Sequence, residues 1–139
     1  MPKVSPDDIN QAMKIAFPLN HDDLAEVIET RKGYARTRLL VKPHYIRPGE
    51  YISGPTQMGM VDHAAYAAVF TLTGLELMAL TANINIDFLK PCQGSVVDAR
   101  ATIIETGKRS LTCEVIITTD KNFNPSSRAR VKYVLPRTS

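Results

Sequence analysis

Residues 53–74 read Ser53-Gly54-Pro55-Thr56-Gln57-Met58-Gly59-Met60-Val61-Asp62-His63-Ala64-Ala65-Tyr66-Ala67-Ala68-Val69-Phe70-Thr71-Leu72-Thr73-Gly74. Ser53 or Gly54 can cap a helix start, Pro55 has the fixed φ that suits a first turn, and Gly74 can end the helix. The helix is therefore predicted from about Pro55 to about Thr73. Its apolar residues, among them Met58, Met60, Val61, Ala64, Ala65, Ala67, Ala68, Val69, Phe70 and Leu72, surround the axis instead of forming one stripe. A helix that is apolar all round is a buried helix. Asp62 sits inside this run, where an ionised carboxylate is costly without a partner.

The flanking sequence has strand periodicity. From Thr81 to Leu89, Ala82, Ile84, Ile86 and Phe88 alternate with Thr81, Asn83, Asn85 and Asp87. A second strand runs from Ser95 to Thr106, and Gly107-Lys108-Arg109 makes a turn. Leu111, Cys113, Val115 and Ile117 mark a third strand. Asp120 to Ser127 reads as a polar loop, and Ala129, Val131, Tyr133 and Leu135 mark a last strand before Pro136. Ahead of the helix, Tyr34 to about Ile46 favours a strand, punctuated by Pro43 and Pro48-Gly49. The first 33 residues read as helical. Ser5 caps Pro6-Asp7-Asp8, with Ile9, Met13, Ala16 and Phe17 on one face, and Pro18 ends that helix. A second short helix is expected from Asn20 or Asp22 to about Thr30, closed by Gly33. The order predicts an α+β chain of one domain, residues 1–139, with a helical segment (1–33) and a core (34–139). In that core an antiparallel sheet of five to six strands wraps one buried helix, the hotdog arrangement.

Composition narrows the function. A chain of 139 residues with 44% hydrophobic content can bury one core without metal or disulfide staples. Cys92 and Cys113 form no CxxC and have no nearby histidine cluster, so neither a metal nor a cofactor is expected, and a reduced, cytoplasmic setting is the simple reading. Residues 1–17 lack the apolar core of a signal peptide. The most apolar run, Met58 to Leu72, is too short to span a bilayer and is interrupted by Asp62 and His63. A net charge of +3, spread out and without a basic aromatic patch, argues against nucleic acid.

Asp62 is the candidate catalytic carboxylate; the competing explanation is a solvated or subunit-bridging stripe, with or without a salt bridge, since structural ion pairs also place acids in helices. Gly54 is the second candidate, because free N–H groups at a helix start favour negative charge such as a developing oxyanion. His63 follows Asp62 directly and so points about 100° away on a helix, which suits a core or interface histidine. His21 and His44 have no visible partners. Ser53, Thr56, Ser110 and Cys113 lack the context of a nucleophile triad.

Taken together, Ser53 to Ala68 resembles the loop-and-helix motif of hotdog thioesterases of the phenylacetate-degradation (PaaI-like) type, written His-Gly-Gly, an apolar run, then Leu-Ala-Asp. Thr81 to Pro91 resembles the following strand of that family, and Gly107-Lys108-Arg109 its Gly-Lys/Arg-Arg hairpin. The resemblance implies a homodimer pairing into a homotetramer, with acyl-CoA as substrate and active sites between subunits. It implies Asp62 as the catalytic carboxylate and Gly54 as the amide that polarises the thioester carbonyl. Thr81 would come from the partner subunit to orient the carboxylate or the attacking water. Ser53, Pro55, Met58 and Asn83 would line the substrate, and Lys90, Lys108 and Arg109 would reach the CoA phosphates. Ser53 stands where many members carry histidine, which resembles a Ser-Gly-Pro subgroup.

Three functions follow from this reading. The first is Asp-dependent hydrolysis of a small or medium acyl- or aryl-CoA, with Asp62 either activating a water as general base or attacking the thioester directly to give an anhydride. The second is a hotdog enoyl-CoA hydratase or dehydratase, which pairs a carboxylate with a histidine. The third is acyl-CoA binding without turnover.

Overall fold

The computed structural model describes residues 2–137. Helix α1 (Pro6–Ala16) opens with the expected cap. Ser5 Oγ accepts from the Asp8 N–H, and the Asp8 carboxylate accepts from the Ser5 N–H. Ile9 and Met13 are buried beneath it. The second predicted helix is not formed. Residues His21–Asp23 make one 3₁₀ turn, and β1 (Glu26–Arg31) follows as a strand. Val27, Ile28 and Thr30 are β-branched, and Val27 gains full burial by facing the core. Lys32-Gly33, with Gly33 at φ 77°, is the tight turn into β2 (Tyr34–Leu40) and not the end of a helix. Strand β1 is an edge, and the Asn10 side chain blocks part of it. Asn10 Nδ2 donates to the Val27 carbonyl and its Oδ1 accepts the Val27 N–H, both at 2.9 Å.

Strand β2 ends at Leu40, earlier than predicted, because Pro43 starts a 3₁₀ turn (Pro43–Tyr45). A two-stranded ribbon, β3 (Ile46–Arg47) with β4 (Tyr51–Ile52), delivers the chain to α2 (Gly54–Thr73). Then come β5 (Leu80–Phe88), β6 (Val96–Thr106), β7 (Ser110–Thr119) and β8 (Asn122–Val134). The polar run Asp120 to Ser127 is mostly not a loop, since the chain turns at Asp120-Lys121 and β8 begins at Asn122. All pairings are antiparallel, in the order β1-β2-β6-β7-β8-β5. Six strands around one long helix is the hotdog fold. Among the described residues no helix is long and apolar enough to cross a membrane.

Small residues set how close the sheet comes to α2. Ala64, Ala65, Ala67 and Ala68 on the helix are buried, as are Ala35, Ala99, Ala101 and Ala129 on the strands. Val97, Val115, Ile117 and Val131 fill the spaces between them. The helix is not covered on all sides, contrary to the sequence reading. Pro55, Met58 and Gly59 are exposed and Asp62 is half-buried, so one stripe of α2 stays open. The outer face of the sheet is polar. There Asp98 is held by Arg38 at 2.8 Å and Arg36 at 3.3 Å, and these arginines keep its carboxyl below the usual range against the opposing cost of burial.

Replacing Ala99 by leucine should overpack the helix–sheet seam and cost about 1–3 kcal/mol. Urea unfolding of the variant against the parent measures this, and unchanged stability would refute the close-packing account.

Candidate active site

Asp62 lies on the open stripe of α2, just over two turns from the helix start. Two hydroxyl groups converge on its Oδ1. Thr81 Oγ1 donates at 2.7 Å and the Tyr133 hydroxyl at 2.6 Å, with the Asp62 backbone carbonyl a further acceptor 3.1 Å from the Tyr133 oxygen. Among the described residues Oδ2 receives no hydrogen bond and no cation pairs with the carboxylate, so Asp62 stands on the open stripe without a salt bridge. Hydrogen bonds to a charged acceptor are the stronger kind.

A bulge makes the Thr81 contact possible. In the pairing of β5 with β8, Thr81 faces Tyr133 but Asn83 faces Lys132, so Ala82 is an extra residue. The extra residue shifts the alternation by one. Thr81 thereby joins Ile84 and Ile86 on the helix side, where strict alternation had grouped it with Asn83. Asn83 points to the other face of the sheet, beside Ile104, Thr112, Arg130 and Lys132. The Thr81 contact is also made within one chain, where the family resemblance had implied a threonine from the partner subunit.

Sequence reasoning assigned Tyr133 only to a strand interior, and its role depends on where β8 passes Asp62. Tyr66 stacks on its ring, with centroids 5.5 Å apart and planes 12° apart. The Tyr66 hydroxyl is fixed in turn by the Leu77 carbonyl. Burial, and then the nearby Asp62 charge, push the Tyr133 phenol far above its ordinary value, so it stays a proton donor.

At the helix start, Ser53 and not Gly54 is the N-cap. Ser53 Oγ accepts from the Thr56 N–H at 3.2 Å, and Gly54 is the first helical residue. The Gly54 N–H is one of the amides a helix start leaves without an intrahelical partner. The Phe88 ring stands beside it, 3.5 Å from where a Cβ on Gly54 would lie. A groove here is lined by Arg47, Tyr51, Phe88 and Lys90. Arg47 was also missed from sequence, because only the β3–β4 ribbon brings it next to Lys90. Lys108 and Arg109 are far from that groove. Leu135 bonds to Arg109 and Lys90 to Ser126, so nine residues of β8 and its end, about 30 Å, separate them. Pro55 and Met58 sit on the open stripe with Asp62.

The histidines lie elsewhere. His63 is buried on another face of α2, His44 bonds Asp23 at 2.9 Å, and His21 is next to Asp22. Among the described residues no cluster of histidine, cysteine and acidic side chains could hold a metal.

The arrangement can hold a carboxylate with one free oxygen on an open helix stripe, and it can offer a backbone donor to an oxyanion. Known proteins resemble this chain over most of its length. The profile of the thioesterase superfamily matches residues 49–122. A Saccharolobus solfataricus protein assigned by name to the esterases is 28% identical over 136 residues, covering 98% of this chain and 89% of that protein. Among solved structures, a Silicibacter sp. protein assigned as a thioesterase superposes with a TM-score of 0.86 at 23% identity, over 99% of this chain and 95% of its own. A thioesterase of Haemophilus influenzae gives 0.83 at 17%, over 98% and 94%. Zebrafish thioesterase superfamily member 2 gives 0.79 at 16%, over 93% and 94%. At these identities the structural matches establish the hotdog fold, while the profile, which spans more than half the chain and contains both Gly54 and Asp62, establishes the family: the chain belongs to the thioesterase superfamily and is a hotdog thioester hydrolase.

Proposed function

We propose that the substrate is an acyl-CoA and that Asp62 is the catalytic carboxylate, acting as a general base. The observation that carries this reading is the asymmetry of its two oxygens. Oδ1 is held by Thr81 and Tyr133, which fixes the carboxylate, while Oδ2 is left to take the proton of an attacking water. The water adds to the thioester carbon, and the Gly54 N–H stabilises the negative carbonyl oxygen. Collapse of that adduct breaks the C–S bond. The departing CoA thiolate takes the proton from Asp62, giving carboxylic acid and free CoA.

One chain does not supply both groups to one carbonyl. Gly54 and Asp62 are eight residues apart on a straight helix, about 12 Å along its axis. The site therefore takes Gly54 from one copy and Asp62 from another. The surface along the open stripe and β5 suits such pairing. Met58, Leu80 and Phe88 are 42%, 68% and 50% exposed, and β5 ends the sheet with an unpaired edge. Pairing along β5 would join two sheets and cross two helices at their open stripes. Further association of dimers into a tetramer belongs to the same reading. A hydratase is disfavoured because no histidine stands beside Asp62.

Asp62→Asn keeps both acceptor contacts and removes the base, so CoA release from an acyl-CoA panel should fall by about 10²–10⁴. Wild-type rates would end this mechanism. Gly54→Pro deletes the amide proton at a helix position where proline is welcome, and should cost about 10²–10³ in kcat. Tyr133→Phe removes one hydrogen bond to a charged group and should lower kcat by roughly 10–100-fold with KM little changed. Sedimentation of the wild type should give a dimer or larger; a monomer with full activity would exclude the shared site.

A further inference from the structure

The two donors to Asp62 share one support, and it sits on the same helix. Tyr66 is one turn of α2 past Asp62 and is half-buried there. Its ring touches the first donor, stacking on Tyr133 with planes 12° apart, and is backed by Phe70 at 4.4 Å between centroids. Its hydroxyl reaches toward the second. It donates to the carbonyl of Leu77, in the turn that leads from α2 to Thr81. Little else holds that turn. Among the described residues, Leu75 to Ala79 otherwise bond only to one another and to Gly74. The Glu76 N–H meets the Gly74 carbonyl at 2.7 Å, the Met78 N–H the Glu76 carboxylate at 3.2 Å and the Ala79 N–H the Glu76 carbonyl at 3.1 Å. Of these five residues only Ala79 is buried, so packing fixes the turn weakly as well.

We propose that Tyr66 is the positioning residue of this site: its hydroxyl holds the turn that aims Thr81, and its ring holds Tyr133, so that both donors meet Oδ1 and Oδ2 stays free. The inference rests on the reading of Asp62 as the base. Thr81 needs such support. It lies at the start of an edge strand, and the bulge at Ala82 interrupts the ladder immediately after it. Leu80 and Thr81 are therefore separated from the regular pairing that holds Asn83 to Phe88, and an end of this kind opens at the least cost. Tyr133 needs support of another kind. Rotation about its own ring axis leaves its hydroxyl in place, but a tilt of the ring moves the hydroxyl away from Oδ1. A near-parallel ring 5.5 Å away fixes that tilt. Burial, and then the charges of Glu76 and Asp62, push the Tyr66 phenol above its ordinary value, so it keeps the proton it donates to Leu77. Tyr66 makes no hydrogen bond to Asp62 and acts through the two donors.

Two double-mutant cycles test this, read as CoA release from an acyl-CoA. Tyr66→Phe keeps the ring and deletes the hydroxyl, so it should fold and should lower kcat about fivefold with KM little changed. In a Thr81→Val background the same change should cost less than about twofold, because the donor it aims is already gone. Tyr66→Leu deletes the stack as well and should lower kcat by about tenfold or more, and a Tyr133→Phe background should remove most of the loss beyond that of Tyr66→Phe. Losses that are equal with and without the partner hydroxyls would overturn the proposal. A raised KM at constant kcat would do the same, since it would place Tyr66 against the substrate. A second readout is independent of turnover. With tyrosine isotopically labelled at Cζ, and the Tyr133 resonance assigned by its loss in Tyr133→Phe, Tyr66→Leu should move that resonance toward its position in Asp62→Ala, where the hydroxyl has lost its carboxylate acceptor. An unmoved resonance would overturn the role of the ring even where Asp62→Asn abolishes hydrolysis. A moved resonance beside wild-type hydrolysis in Asp62→Asn would leave the positioning standing and remove the base.

Discussion

Everything at this site depends on a carboxylate that is anchored through one oxygen only. Asp62 projects from a helix whose neighbouring positions are apolar, and its charge is tolerated because Thr81 and Tyr133 donate to Oδ1. Each donor is itself constrained. Thr81 reaches the helix side because of the Ala82 bulge, and Tyr133 is held between burial and the Tyr66 ring. Removing the bulge would turn Thr81 outward and leave Oδ1 with one protein donor. A local irregularity in an edge strand thus controls the chemistry of a residue nineteen positions earlier in the chain.

The same anchoring explains the small residues in the seam. A hydroxyl on a strand can reach a carboxylate on a helix only if the two backbones come close. The alanines of α2 and of β2, β6 and β8 allow that approach, and larger residues would lift the helix from the sheet. The apolar run that suggested a wholly buried helix therefore has a more specific meaning. Most of it is a tight seam with the sheet. The remainder is an open stripe on which Asp62 is the one acidic residue of α2.

Which parts were legible from sequence follows from the range of the forces involved. The cap Ser53, the length of α2 and the strands β6 and β7 are set by local residues, so periodicity and turn chemistry revealed them. Asp62 and Gly54 stood out because a charge in an apolar helix and a glycine at its start are local anomalies. The strand β1 was hidden because its short, partly polar run fits either element, and only the core face filled by Val27 decides between them. The bulge at Ala82 was hidden because alternation around it looks regular. Tyr133 and Arg47 were hidden because their importance comes from what lies across the sheet and the ribbon, which no window of sequence contains.

In the proposed mechanism the Gly54 amide and the Asp62 carboxylate, just over two turns apart on one helix, are too far apart to serve one carbonyl. Bending the helix would break the seam that anchors Asp62, so the groups cannot be brought together within one chain. Two antiparallel copies of the same helix solve the problem by symmetry, because each start then comes beside the other's carboxylate, and two equivalent sites form at once. In the proposed pairing, the exposed Met58 and Leu80, with Phe88 beside Gly54, would form the apolar surface between copies, and the unpaired edge of β5 would supply the register.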